Sequence, residues 1–191
     1  MSKKILVIGS INKDLVITTP RFPKEGETIL GNNFYTANGG KGANQACAIG
    51  KLGGNVAMLG AIGNDNFGKD LSNALYSNNV NIDNLLMKND VSTGIAVITV
   101  TNDGANHIIV AQGANALITK DDIKEKLIAS FDIIVMQLEI PLEIAKYAAS
   151  FPNIKFALID GVADEGLTNV ISSIFAQNEG SFLAGAVAAM F

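Results

Sequence analysis

A short, β-branched run that ends in glycine, Lys4-Ile5-Leu6-Val7-Ile8-Gly9, precedes a glycine-rich stretch that leads into a helical pattern, Ala37-Asn38-Gly39-Gly40-Lys41-Gly42-Ala43-Asn44-Gln45-Ala46. The first run reads as a buried strand. From Gly40 to Leu52 small apolar residues recur at helical spacing and stop at Gly53-Gly54, a C-terminal glycine signal. The alternation continues. Val56 to Ile62 reads as a strand, and Asn66 to Tyr76 as a helix with Phe67, Leu71 and Leu75 on one face. Lys120 to Ile128 reads as an amphipathic helix capped by Thr119, with Asp121 and Asp122 where the helix dipole favours them. Asp132 to Gln137 is a buried strand, and Pro141 opens a helix to about Ala149. Strands alternating with helices predict an α/β fold with a mostly parallel sheet flanked by helices.

Two stretches break the alternation. Asp14 to Thr19 and Thr28 to Thr36 read as strands around the turn Pro20 to Glu27. Gly94 to Thr101 and Asn106 to Ala111 flank Asn102-Asp103-Gly104-Ala105, a hairpin signal. These pairs, within 13–37 and 94–111, are expected to form a small separate β-sheet that stands over the sheet edge as a lid. Beyond Ser150 the pattern changes again. Ile154 to Ile159 is a strand ending in Asp160-Gly161, Asn169 to Phe175 a second strand, and Glu179 to Met190 a helix rich in Gly and Ala.

The chemistry-bearing residues gather at the ends of these elements. Asn12 and Asp14 stand at i and i+2, on one face of an extended segment just past the first strand. Open α/β sheets place ligands at that carboxyl edge. Glu139 follows the strand Asp132 to Gln137 in the same way. Gly39 and Gly40 let backbone approach a ligand closely, and Lys41 and Asn44 add an ammonium and an amide. Carboxylates, amides and an ammonium around a glycine-lined backbone suit a sugar-like molecule.

Other chemistries are poorly supported. Gly39-Gly40-Lys41-Gly42-Ala43 lacks the spacing and the hydroxyl of a Walker A loop, and Gly60-Ala61-Ile62-Gly63 lacks the dinucleotide register. His107, the single histidine, falls in the second arm of the Asp-Gly hairpin and reads as a surface strand residue. The single cysteine, Cys47, excludes an internal disulfide or a Cys-based zinc site and reads as a packed, inert thiol.

A length of 191 residues, 48% of them apolar and 17% charged, fits a soluble globular domain. The net charge of −4, with no basic cluster longer than Lys3-Lys4, argues against nucleic acid or an anionic membrane as partner. No signal peptide or membrane span is read in the chain, so a cytoplasmic location is expected.

With these residues assembled, positions from about Lys4 to Ala149 resemble the ribokinases of the PfkB-type carbohydrate kinase family. The resemblance rests on Gly9-Ser10-Ile11-Asn12-Lys13-Asp14, Phe22-Pro23 with Gly26-Glu27-Thr28, and the run Gly39 to Ala46. Further on it rests on Gly63-Asn64-Asp65-Asn66-Phe67-Gly68, Ser92-Thr93-Gly94, Gly113-Ala114-Asn115-Ala116 and Met136 to Glu143. It implies a ribose pocket made by Asn12, Asp14, Gly39, Gly40, Lys41, Asn44 and Glu139, and a lid that pairs with a second subunit. The family also uses ATP and magnesium, held by a second half that carries a Gly-Ala-Gly-Asp segment whose Asp is the general base. The 191 residues contain no such segment. No catalytic residue, cofactor site or metal site is therefore assigned.

The tail carries its own resemblance. Phe151 to Gly161, Asn169 to Phe175 and Glu179 to Ala186 resemble the basic membrane lipoprotein (Bmp/PnrA-like) family of nucleoside-binding proteins. Together the two imply a chimera-like or truncated chain: a sugar-binding region over 1–149, and over 150–191 a grafted β-β-α segment of periplasmic-binding-protein type that completes the sheet. The expected function is that of a carbohydrate kinase by lineage, inactive by itself. A non-catalytic ribose- or nucleoside-binding module and a recombination or design product without function are the alternatives. The lid and the C-terminal helix both favour a homodimer.

Overall fold

The computed structural model describes residues 3–140, 151, 153–162 and 168–174. The chain opens on β1 (Lys4–Ile8), and Gly9, Ser10 and Ile11 carry it out of the main sheet into β2 (Asn12–Thr19). β3 (Asn33–Gly39) returns antiparallel to β2, with Asn12 opposite Gly39. β3 therefore starts later than Thr28 and runs into the glycine-rich stretch, because its pairing partner extends back to Asn12. α1 (Lys41–Lys51) follows at once. It ends in a Schellman arrangement: Gly53 N–H donates to Gly50 O and Gly54 N–H to Ile49 O, with Gly53 at φ 79°.

The strand expected over Val56 to Ile62 is two strands. β4 (Asn55–Leu59) lies in the main sheet, and β5 (Ala61–Gly63) pairs elsewhere, with β7 (Leu86–Lys88). Gly60 is the break, its carbonyl accepting from Leu86 N–H at 2.9 Å. Between them come α2 (Asn66–Ser77) and β6 (Val80–Asn81). α2 is capped by Asp65, whose side chain accepts from Gly68 N–H. β8 (Gly94–Thr101) and β9 (Asn106–Ala111) form the Asp-Gly hairpin, with Gly104 at φ 87°.

The helix expected over Lys120 to Ile128 is also broken. A 3₁₀ turn spans Lys120–Asp122, and α3 covers only Glu125–Ile128. Ile118, Ile123 and Ile128 are all fully buried yet five residues apart, positions that one continuous helix would set on different faces. A break with Lys124 in extended geometry lets all three reach the core. Thr119 still caps the turn, in a reciprocal capping box with Asp122.

β10 (Ile133–Gln137), β11 (Lys155–Ile159) and β12 (Val170–Ser173) complete the main sheet, with the last shorter than expected. The helices read over Pro141 to Ala149 and Glu179 to Met190, and Phe175, lie outside the described residues. The six-stranded sheet has the order β12-β11-β10-β1-β4-β6, and every pairing is parallel. From β1 the chain builds toward β4 and β6, then returns to β10 on β1's other side and builds toward β12. The direction of winding reverses between β1 and β10.

Both faces of this sheet are covered, as its continuous apolar strands require. Leu6, Ile8, Leu59, Met136, Phe156 and Leu158 pack on one face against Ala114, Ile118, Ile123 and Ile128. Val7, Met58, Val135 and Ile159 pack on the other against Ala46 and Ile49 of α1 and Leu71 and Leu75 of α2. The second sheet, β3-β2-β8-β9, joins the two hairpins through a parallel pairing of β2 with β8. Lys13, nearly buried, donates to Asn38 Oδ1 at 2.9 Å and lies 3.9 Å from Asp70, tying β2 to β3 and α2.

Candidate functional site

At the reversal point between β1 and β10, Ser10, Asn12, Leu138 and Glu139 line a cavity of ≈ 330 Å³ together with Val110, Gln112 and Asn115. This is the crevice past the strand carboxyl ends where doubly wound sheets bind ligands. Val110 belongs to β9 and Gln112 follows it, so the small sheet closes one wall. A larger cavity, ≈ 500 Å³, lies at the opposite ends of the strands beside Lys3, Asp132 and Lys155, away from the polar cluster.

Asn115 fixes the β1–β2 connection. Its Oδ1 accepts from Ile11 N–H at 3.0 Å, and its Nδ2 donates to Ile11 O at 3.1 Å and Asn12 Oδ1 at 2.8 Å. These bonds are buried, and they satisfy backbone groups that no strand partner reaches. The Asn12 side chain is thereby held at the cavity wall.

Glu139 is the centre of the cluster. Its Oε2 accepts from Ser10 Oγ at 2.6 Å and from the Lys41 backbone N–H at 3.4 Å, and its Oε1 lies 3.5 Å from Lys41 Nζ. Lys41 also pairs with the Asp160 carboxylate. Burial works against the Lys41 ammonium, but the hydrogen bond to Asp160 and the charges of Glu139 and Asp160 outweigh it and hold its pKa above the ordinary lysine value. Asp14 goes the other way. Burial first, and the charge of Glu139 second, push its carboxyl up from the usual 3.8.

The glycines shape the cradle. Gly40, at φ 90°, is the N-cap of α1 and offers no side-chain cap, which leaves the helix N-terminus turned toward Glu139 and Ser10. A Cβ on Gly39 would lie 2.3 Å from the Asp14 carboxylate, so Asp14 takes the space that any side chain there would fill.

Of the residues singled out in the sequence, Asn12 and Glu139 line the cavity. Lys41 joins them through Glu139, and Asp14 and Gly39 meet one another beside it. Asn44 stands exposed on α1, and among the described residues its side chain has no hydrogen-bond partner. The sequence pattern does not single out Ser10, Asn115 or Asp160. Ser10 and Asn115 lie inside the motifs that carry the family resemblance, and a Ser two residues before Asn12 on an extended segment is a usable signal. Nothing in the sequence ties Asp160 to Lys41. Away from the site, His107 lies exposed in β9 with its ring stacked on Phe22, centroids 3.5 Å apart. Cys47 is half-buried, and burial pushes its thiol up, toward the less nucleophilic form.

Comparison with known proteins gives two family matches. Residues 2–150 match the pfkB family carbohydrate kinases, and residues 129–191 match the PnrA-like substrate-binding proteins of ABC transporters. A ribokinase of Schizosaccharomyces pombe is 43% identical over 152 residues, which cover 75% of this chain and 48% of the relative. The chain spans about half the length of the curated relatives it matches. The crystal structure of a ribokinase from Thermotoga maritima superposes with a TM-score of 0.77 at 33% identity, covering 82% of this chain and 52% of that one. The Arabidopsis thaliana ribokinase complexed with ribose and ATP superposes with a TM-score of 0.73 at 33% identity, over 85% and 55% of the two chains.

Proposed function

The chain belongs to the pfkB family of carbohydrate kinases, and on that footing we propose that its β1–β10 crevice is a pentose site that binds ribose. Asn12, Asp14, Gly39, Gly40, Lys41, Asn44 and Glu139 form the sugar contacts, and the β3-β2-β8-β9 sheet is the lid. The observation that carries the reading is Glu139. Its carboxylate gathers Ser10 from the end of β1 and Lys41 from the start of α1 at the point where the sheet's winding reverses. A pentose offers several hydroxyls, each donor and acceptor at once. The carboxylates of Asp14 and Glu139 accept from them, the Lys41 ammonium donates to them, and the amides of Asn12 and Asn44 do both.

Binding and phosphorylation are separate demands. Phosphoryl transfer needs a base on the attacking hydroxyl and donors that stabilise charge on the transferred group, each worth roughly 10²–10³-fold or more. The 191 residues hold no Gly-Ala-Gly-Asp segment. Among the described residues no cluster of three His, Cys, Asp or Glu side chains could hold a metal ion. In this reading the chain by itself holds the acceptor sugar and does not phosphorylate it. The match of residues 129–191 to PnrA-like proteins supports a second reading, a ligand-binding module assembled from segments of two descents that meet at β10 and β11.

Calorimetric titration with ribose and with nucleosides, beside an assay of ATP-dependent ribose phosphorylation, tests both. Ribose binding without turnover is the expected result. Robust turnover overturns the non-catalytic reading, preference for a nucleoside favours the module, and binding of neither overturns the site.

A further inference from the structure

Asp160 stands just past the carboxyl end of β11, outside the residues that match the pfkB family and inside those that match the PnrA-like proteins. Its carboxylate meets Lys41 Nζ, 119 positions earlier in the sequence, while Glu139 holds the same ammonium from 3.5 Å. Two further observations single it out. Asp160 sits at φ 60°, in the left-handed region that costs a residue with a Cβ, and of such residues Asp and Asn bear it best. Strained geometry of this kind persists where the surroundings hold it, and here Asp160 N–H donates to Ser173 O at 2.8 Å. The strand that carries Asp160 is also locked to β10 in a continuous parallel register from Ile133 opposite Lys155 to Gln137 opposite Ile159. The carboxylates of Glu139 and Asp160 thus leave neighbouring strands on the same edge.

We infer that Asp160 is a positioning residue of the sugar site: it holds the Lys41 ammonium beside Glu139, so that the segment outside the pfkB match completes a site begun by the segment inside it. The inference rests on the pentose reading above for its ligand, but not for the pair itself. Without Asp160, Lys41 is a long side chain about half exposed, with Glu139 as its remaining anionic partner. Such a chain samples many rotamers, and a ligand that needs its ammonium in one place must first order it.

Asp160→Asn is the variant of choice, because Asn keeps the tolerance for positive φ and removes only the charge. Ribose affinity is measured for the parent chain, Asp160→Asn, Asp160→Glu, Lys41→Met and the double variant Lys41→Met/Asp160→Asn. The expected result is an affinity about fivefold weaker in Asp160→Asn, the size of a half-exposed ion pair, with partial recovery in Asp160→Glu and no further loss when Asp160→Asn is added to Lys41→Met. If the parent chain binds ribose and Asp160→Asn binds it equally well, the inference is overturned and the pentose reading stands. If the parent chain does not bind ribose, the pentose reading falls, and thermal unfolding of the same variants without ligand decides the pair. Midpoint shifts that fail to add in the double variant support it, and additive shifts overturn it.

Discussion

Ser10 Oγ donates to Glu139 Oε2 at 2.6 Å, joining the carboxyl ends of β1 and β10 across 129 positions of sequence. A hydrogen bond this short to an ionised acceptor is of the stronger kind, about 1.5–3 kcal/mol. It also aims the carboxylate, since the second oxygen is left to Lys41. Glu139→Gln keeps the shape and removes the charge, and it is expected to weaken ribose binding about tenfold. Ser10→Ala is expected to weaken it less, because the Lys41 backbone amide still holds the carboxylate. Calorimetry on both variants ranks them, and equal affinities in parent and Glu139→Gln would remove Glu139 from the sugar contacts.

The Asp14 carboxylate is held at a cost to stability. Its carboxyl titrates above 3.8 because burial and Glu139 both disfavour the charge. The folded chain therefore binds the proton more tightly than the unfolded chain. Stability falls as pH rises from 3.8 through the raised value, and above it the penalty is present in full. Asp14→Asn is expected to raise Tm at pH 7 by about 1–3 °C while weakening ribose binding. The gain disappears below the ordinary carboxylate range, where Asp14 is protonated in both states. Thermal scans of parent and variant at pH 3 and pH 7 check the sign, and a variant less stable at pH 7 contradicts it.

The parts legible in the sequence are those set by local pattern. The alternating strands, the two hairpins of the smaller sheet, the C-terminal glycine of α1 and the placement of Asn12 and Glu139 past strand ends follow from periodicity and turn chemistry. What escaped was set by tertiary contact. Asn115 braces Ile11 and Asn12 across more than 100 positions, and no local rule marks an Asn in the short 3₁₀ turn Gly113–Leu117 as the brace of a distant loop. The break at Lys124 reflects three isoleucines competing for one core. The contact of Asp160 with Lys41 exists only because β11 pairs with β10 in one register; a one-residue slip would turn that edge inside out.

Asp65 joins helix capping to the start of β8 in the smaller sheet. Its carboxylate accepts from Gly68 N–H at 2.7 Å, Thr93 N–H at 2.8 Å and Thr93 Oγ at 2.7 Å, and Thr93 is fully buried just before β8. Burial works against the charge, but these bonds outweigh it and the carboxyl titrates below 3.8. Its contribution is present above 3.8 and lost as pH falls through the lowered value. Asp65→Ala removes a cap and orphans buried Thr93 groups, for a loss of about 2–4 kcal/mol. Urea unfolding at pH 7 measures it, and a loss below about 0.5 kcal/mol would mean that water replaces the carboxylate.

Gly42 tests whether the start of α1 belongs to the site or only to the scaffold. A Cβ there would lie 2.7 Å from Gly9 C and 2.8 Å from Gly9 Cα and Ser10 N. All of these are backbone atoms, with no side-chain end that can swing aside. Alanine favours a helix over glycine by about 1 kcal/mol, whereas overpacking of this kind costs about 1–3 kcal/mol, so the net change in stability is small. The change in position is not, because the helix must back away from the β1–β2 connection. Ser10 and Lys41 lie on the two surfaces being separated, and both hold Glu139. Gly42→Ala is therefore expected to leave the unfolding free energy from urea titration within about 2 kcal/mol of the parent, with an unchanged m-value, yet to weaken ribose binding about tenfold or more. Loss of stability with affinity intact would assign the close approach of α1 to packing alone.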